Sequence, residues 1–516
     1  MRTKYAIKNI SMSILSQIII ILLGFLSRKV FVDNLGAEYL GVNGLLSNVL
    51  SMMVLIESGI GISIVYNLYK PLADNNKEKI VALVQLYKKA YTALAIIMLI
   101  ISIVLYPFMG YLMKTDTNIP GMFIVYTIFV GKNMISYMNA YKWALINADQ
   151  KGYVLAGSNL VFQIVTTLGK IAILMISKNY ILYLLVEVFI FVIQNIVNTI
   201  IVYKRYPYLR EKSKYKIDLE VKDNITKNVK AMFLHNIGGY LVFGTDNILI
   251  SAFVGLKAVG LYSNYTMIIS QLSNLLAPII NGIGAGVGNL IATEDENKAF
   301  SIFNISFMIS FWIYSFATIF LYNLLDPFIG WLFGKEYILN KSIVIVVLIN
   351  FYLDGMRGPI ATFKNKAGLF TQDKYISVIE GLVNLFGSLL LIKHFGFIGV
   401  FLGTTLSTLT TVFWSQPRVV YKHLFKRKVS EYFIKYFSRI GIMLLAGGVT
   451  KIICNTLITG SSFISLIGRG IICVISVNTI YILLFFKTNE VKYLINNLRV
   501  QVESLKYTLK FKEKIS

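Results

Sequence analysis

Cysteine and histidine are nearly missing from this chain. Cys454 and Cys473 are the only cysteines in 516 residues, and His235, His394 and His423 the only histidines. That scarcity excludes a disulfide framework and a histidine-built metal centre, and two thiols in separate apolar runs are expected to be buried and inert. Acidic residues are scarce too: 25 Asp and Glu stand against 50 Lys and Arg, a formal net charge of +25. No GxxxxGK[ST] phosphate loop occurs, because Gly131-Lys132, Gly169-Lys170 and Gly334-Lys335 lack the following Ser or Thr. ATP hydrolysis by this chain is therefore not expected, and no cofactor is implied. HExxH, GxSxG, CxxC and DxD are missing as well, so a membrane glycosyltransferase or polysaccharide polymerase is the lesser reading and the chain is not expected to be an enzyme.

Apolar sequence is what the chain has in excess. Its hydrophobic content is 56% and its mean hydropathy +0.67, above the roughly 45–50% of soluble proteins. About fourteen runs approach the ~20 residues of a spanning helix, the first at 10–32 and the last at 464–486. The expected fold is an all-α polytopic membrane protein. The first run has a basic start but no small-residue cleavage pattern, so a retained helix is expected.

The basic residues cluster at even-numbered span boundaries. Lys204, Arg205, Arg210, Lys212, Lys214 and Lys216 open one link, Lys422, Lys426, Arg427 and Lys428 another, and Lys506 to Lys514 the tail. By the positive-inside rule both termini and these links face the cytoplasm. The charge then reports orientation and attraction to membrane lipids; nucleic acid is not expected as a partner.

Charges set inside lipid-length apolar segments usually face a protein interior or a water-filled cavity. Arg28 shares a helix face with Gln17 and Gly24, although a snorkelling role at the outer headgroups is the alternative. Glu57 shares one with Asn43 and Ser47, and Lys132 with Ser136 and Asn139. Asn159, Gln163, Thr166 and Lys170 follow i, i+4, i+7, i+11 on the next span, either as interhelical hydrogen-bonding groups or as a pore face. Glu187, Gln194 and Asn198 repeat the device. Asp246 shares a face with His235 and Gly239, and Asp354 and Arg357 stand at i, i+3, able to neutralise each other or to serve a site.

Two echoes suggest duplication. Gly36 and Gly41 bracket LGAEYLG, Gly255 and Gly260 bracket VGLKAVG, and both pairs are 219 residues apart. Asp149 in DQKGY and Asp373 in QDKY are 224 apart. The expected organisation is a six-helix lobe at 1–203, a basic cytoplasmic link at 204–229, a second six-helix lobe at 230–421, a link and two additional helices at 422–486, and a basic cytoplasmic tail at 487–516.

Arg28 followed by LGAEYLG and the Gly59-Ile60-Gly61 bend, then Asp246-Asn247 followed by VGLKAVGLYSNY, resembles the polysaccharide repeat-unit flippases of bacterial capsule and O-antigen export. Their superfamily also holds the multidrug and toxic compound extrusion antiporters and the lipid II flippase. The resemblance implies two pseudo-symmetric lobes in a V around a central cavity that opens alternately to each side of the cell membrane. It implies an undecaprenyl-pyrophosphate-linked oligosaccharide as cargo, with a polymerase and other assembly proteins as partners. A cationic cavity is typical of these flippases, including a first-helix arginine that Arg28 matches. Lys132, Lys170, Arg357, Asn159 and Gln163 join it as cavity candidates from their local stripes alone. Asp246, with Glu57 and Asp354, is the candidate for ion pairing or for a coupling ion, H+ or Na+. A multidrug antiporter is the rival reading, for which carboxylates should outnumber cations in the cavity.

Overall fold

The computed structural model describes residues 2–51, 66–114, 119–149, 151–211, 237–242, 244–369, 372–460 and 462–496, with isolated positions at 61, 215, 217, 223 and 225. Glu57 lies outside the described residues. Among these the structure is helical, without a strand, and nine helices are long and apolar enough to cross a membrane. The chain is an all-α polytopic membrane protein.

The helices are α1 (Arg2–Ser51), α2 (Lys77–Leu105), α3 (Met122–Ala148), α4 (Tyr153–Ser177), α5 (Tyr180–Arg205), α6 (Asp246–Phe253) and α7 (Leu256–Thr293). They continue with α8 (Glu296–Leu332), α9 (Lys341–Lys366), α10 (Ile376–Phe395), α11 (Phe397–Thr410), α12 (Val412–Val420), α13 (Ser430–Leu457) and α14 (Phe463–Phe485). Their starts follow from capping side chains that accept otherwise unsatisfied backbone N–H groups: Asn76 from Lys79, Asn179 from Leu182, Asp295 from Lys298 and Ser462 from Ser465. Each such cap stabilises its helix by about 1 kcal/mol.

The chain forms two compact units, Met1–Asn264 with Gly381–Val400, and Tyr265–Glu380 with Phe401–Ser516. In the first, α4 packs on α5 and α1, while α3 packs on α2 and α5. The two matched glycine turns lie here. Gly36 breaks α1 with φ +84° and Gly255 precedes α7 with φ +134°, a backbone region in which a side chain is strained. Five residues further on, a Cβ on Gly41 would overlap the carbonyl of Leu256, and one on Gly260 the carbonyl of Ala37. Shifted by 219 residues, each contact becomes the other. The echo in the sequence is therefore a reciprocal close approach of two backbones.

The second unit is organised on α8, which packs against α9, α13 and α14. Phe300, Phe303, Phe307 and Phe311 follow the helical period and meet Phe363, Tyr421, Phe425, Tyr432, Tyr436 and Tyr481 in one buried cluster. Phe303 and Phe307 stack 5.9 Å apart, and Phe311 lies 5.3 Å from Tyr481. Lipid offers no hydrophobic drive for helices to associate, so such shape-specific packing has to hold them. Aromatic pairs contribute about 0.5–1.5 kcal/mol each beyond area burial. Through this cluster α13 and α14, which have no counterpart in the sequence echoes, are built into the unit's core.

Candidate functional site: a cation cluster around Glu187 and Tyr183

Three helices of the first unit bring their charges to one point. Lys132 on α3 and Lys170 on α4 each pair with a carboxylate oxygen of Glu187 on α5, Lys132 with Oε1 and Lys170 with Oε2. The side chains of Lys170 and Glu187 are 17% and 20% exposed and that of Lys132 is 38% exposed, so the group is accessible mainly along Lys132. Lys170 also sits 4.4 Å from the centre of the Tyr183 ring, one turn before Glu187. Arg28, from α1, is an electrostatic neighbour of that same tyrosine, and its Nη1 donates to Ser263 Oγ at 3.2 Å. Lys132 and Lys170 thus share the one Glu187 carboxylate, while Lys170 and Arg28 both neighbour the Tyr183 phenol.

The aromatic side of the cluster continues onto α1. Phe31 packs edge-on against Tyr183 at 5.1 Å, and Tyr39 against Tyr180 at 4.9 Å. Tyr180 OH donates to Asn43 Oδ1 at 3.1 Å, which fixes the start of α5 against α1.

The polar stripes of α4 and α5 face each other in antiparallel order. Lys170 meets Glu187, while Asn159 Oδ1 accepts from both Gln194 Nε2 and Asn198 Nδ2 at 2.9 Å. Asn159 therefore joins two helices. Gln163 is exposed, and its backbone carbonyl accepts from Thr167 Oγ1 at 2.8 Å.

Asp246 opens α6 and makes no ion pair among the described residues; its Oδ1 is shut from solvent without a hydrogen-bond partner, as is Asn247 Oδ1. The carboxylate that engages the lysines is Glu187.

Arg357 belongs to the second unit. Its partner is not the neighbouring Asp354: Nη1 donates to Glu380 Oε1 at 2.9 Å, and Nε to Gln416 Oε1 at 3.2 Å. Asp354 is exposed on α9. The local i, i+3 geometry yields to a carboxylate on α10 and an amide on α12, which offer the guanidinium two directed bonds.

The two echoed aspartates sit in corresponding turns, Asp149 between α3 and α4 and Asp373 between α9 and α10. Lys151 Nζ and Tyr206 OH donate to Asp149 at 2.6 and 2.5 Å, and Lys364 Nζ to Asp373 at 2.6 Å. Both serve as anchors for a helix-to-helix turn. No cluster of His, Cys, Asp and Glu able to hold a metal occurs among the described residues.

The fold is similar to that of the lipid II flippase MurJ in its inward closed conformation, with a TM-score of 0.66 and 13% identity over 92% of this chain and 99% of that one. It is similar to the Vibrio cholerae MATE transporter VcmN, with a TM-score of 0.55 and 15% identity over 81% of this chain and 99% of that one. It is also similar to a transporter of the MOP superfamily from Pyrococcus furiosus, with a TM-score of 0.52 and 13% identity over 80% and 94% of the two chains. No curated protein matches it in sequence. Residues 6–283, more than half of the chain, match the family described as polysaccharide biosynthesis protein. The chain belongs to the polysaccharide biosynthesis protein family and has the fold of the superfamily that holds the lipid II flippase and the MATE transporters.

Proposed function

We propose that this protein is a flippase that carries undecaprenyl-pyrophosphate-linked oligosaccharide repeat units from the inner to the outer leaflet of the bacterial cell membrane, for capsule or another surface polysaccharide. The observation that carries the reading is that Lys132 and Lys170 share the Glu187 carboxylate while Arg28 neighbours the adjoining Tyr183, in a chain of this family. Among the described residues, Lys132 and Lys170 against the one Glu187 carboxylate, with Arg28 by Tyr183, leave a surplus of positive charge within apolar helices. A pyrophosphate carries about two negative charges and could not cross hydrocarbon unpaired; ammonium and guanidinium groups replace its water and counterions. The same surplus argues against a cationic drug as cargo.

In this reading Glu187 holds the lysines while the site is empty and yields them when the pyrophosphate arrives. Tyr39, packed on the buried Tyr180, supplies an aromatic side chain suited to sugar, and the lipid tail stays in the bilayer. Two six-helix lobes alternate in access, with both termini and the 204–229 link on the cytoplasmic side, and a polymerase receives the delivered units. Asp246, whose Oδ1 is shut from solvent and which makes no ion pair among the described residues, is the group proposed for a coupling H+ or Na+.

The test is export in cells. Arg28→Ala and Lys170→Ala should lower surface polysaccharide at unchanged protein abundance, with lipid-linked repeat units accumulating inside. Normal export by both variants would remove these residues from the site.

A further inference from the structure

Away from the Glu187 cluster, the first unit carries a second cationic feature: a groove of about 1020 Å³ between α2, α3, α5 and the segment after α5. Lys88, Lys89 and Arg210 line it, with Tyr141 and Tyr203 as its aromatic wall and Glu211 as the carboxylate among its lining residues. Arg210 and Lys142 each lie against the Tyr203 ring, at 5.7 and 5.6 Å. Lys142 is only 7% exposed, and its ammonium donates to two neutral oxygens, Asn139 Oδ1 at 2.8 Å and Thr199 Oγ1 at 2.9 Å. It has no carboxylate partner among the described residues, and Lys88 is near enough to repel it. A buried ammonium beside like charges calls for an anion.

The other half of the groove is apolar and leads away along one helix face. Ala93 and Ile96 line it, and Ile100, Ile103 and Val104 continue the exposed stripe at i, i+3, i+4 spacing. From Lys89 to Val104 the helix rises about 22 Å, more than the roughly 15 Å of one leaflet's hydrocarbon. The cations lie where the apolar stretch of α2 begins, at headgroup level.

We infer that this groove is a lateral binding site for an anionic phospholipid, its phosphate held by the lining cations Lys88, Lys89 and Arg210, with Lys142 behind the Tyr203 ring adding to the positive field, and one acyl chain laid along the stripe from Ala93 to Val104. Basic pockets between spanning helices at the membrane surface recognise phosphate headgroups in this manner. The inference is independent of the cargo proposed above.

Native mass spectrometry of the delipidated full chain, titrated separately with phosphatidylglycerol, phosphatidylcholine and inorganic phosphate, tests it. Phosphatidylglycerol should bind tighter than phosphatidylcholine, and the exposed double variant Lys88→Gln/Lys89→Gln should weaken it about 25-fold, roughly fivefold for each cation removed. Lys88→Arg/Lys89→Arg should retain binding, as should a charge-matched control on the second unit, Lys422→Gln/Lys428→Gln. Equal losses in the groove and control variants, no preference over phosphatidylcholine, or occupancy by inorganic phosphate with none by phosphatidylglycerol would each overturn it.

Discussion

Glutamine in place of Glu187 keeps the shape of the side chain and removes the carboxylate that Lys132 and Lys170 share. Breaking a buried pair costs about 3–5 kcal/mol, whereas a surface pair is worth about 0–1 kcal/mol. With Glu187 20% and Lys170 17% exposed, partial solvent screening places the loss between these limits, at about 2–3 kcal/mol. Spread over an unfolding entropy of ~2.1 cal/mol/K per residue, that lowers the melting temperature by about 2–3 °C. The same substitution frees the lysines from a competitor. Glu187→Gln should therefore bind pyrophosphate or a short prenyl pyrophosphate about tenfold more tightly than the parent, a gain of ~1.4 kcal/mol, and be stabilised by it to a greater extent. Thermal unfolding across a pyrophosphate titration reads both effects at once. Lys170→Met should lose the response instead. A Glu187→Gln protein that melts with the parent and responds identically to pyrophosphate would refute the view that this carboxylate restrains the cations.

Other expectations rest on separate parts of the molecule. Gly41→Val and Gly260→Val should damage the protein to a similar, large extent, because each drives a side chain into the backbone of the opposite turn; size-exclusion profiles of the purified variants check this, and a well-behaved protein from either would break the reciprocity. Arg357→Ala strands Glu380, which is 6% exposed, and should cost about 3 kcal/mol or more, largely recovered in Arg357→Ala/Glu380→Gln; a thermal double-mutant cycle with no coupling would contradict the pair. Asp246→Asn should change how export depends on external pH or sodium, and parental export under all conditions would remove the coupling role.

Hydropathy made the membrane class legible, since apolar runs of spanning length need no tertiary information to be found. The stripes on α4 and α5 were visible as spacing, because residues four and seven apart share a helix face. Which stripe would meet which was not. Lys132, Lys170 and Glu187 lie on three helices, and only packing decides that they share one point. Arg357 marks the limit of local geometry: the i, i+3 neighbour Asp354 was the pairing in view, and Glu380 on another helix outcompetes it. The glycine echo was found as a repeated interval, but the interval could not say that the two turns touch each other. The face of Phe300, Phe303, Phe307 and Phe311 was not singled out in the sequence, and the commitment of α13 and α14 to it lies in side-chain shape.

The central claim is that the cations around Glu187 and Tyr183 move an anionic lipid-linked glycan. The most direct measurement is translocation of an undecaprenyl-pyrophosphate-linked oligosaccharide in proteoliposomes, followed by accessibility of the sugar to an externally added, membrane-impermeant glycosidase. The account predicts translocation by the parent protein, at least tenfold slower translocation by Lys132→Met/Lys170→Met at equal protein incorporation, and no transport of an uncharged lipid-linked sugar. Parental rates from the double variant, or equal rates for charged and uncharged cargo, would contradict it.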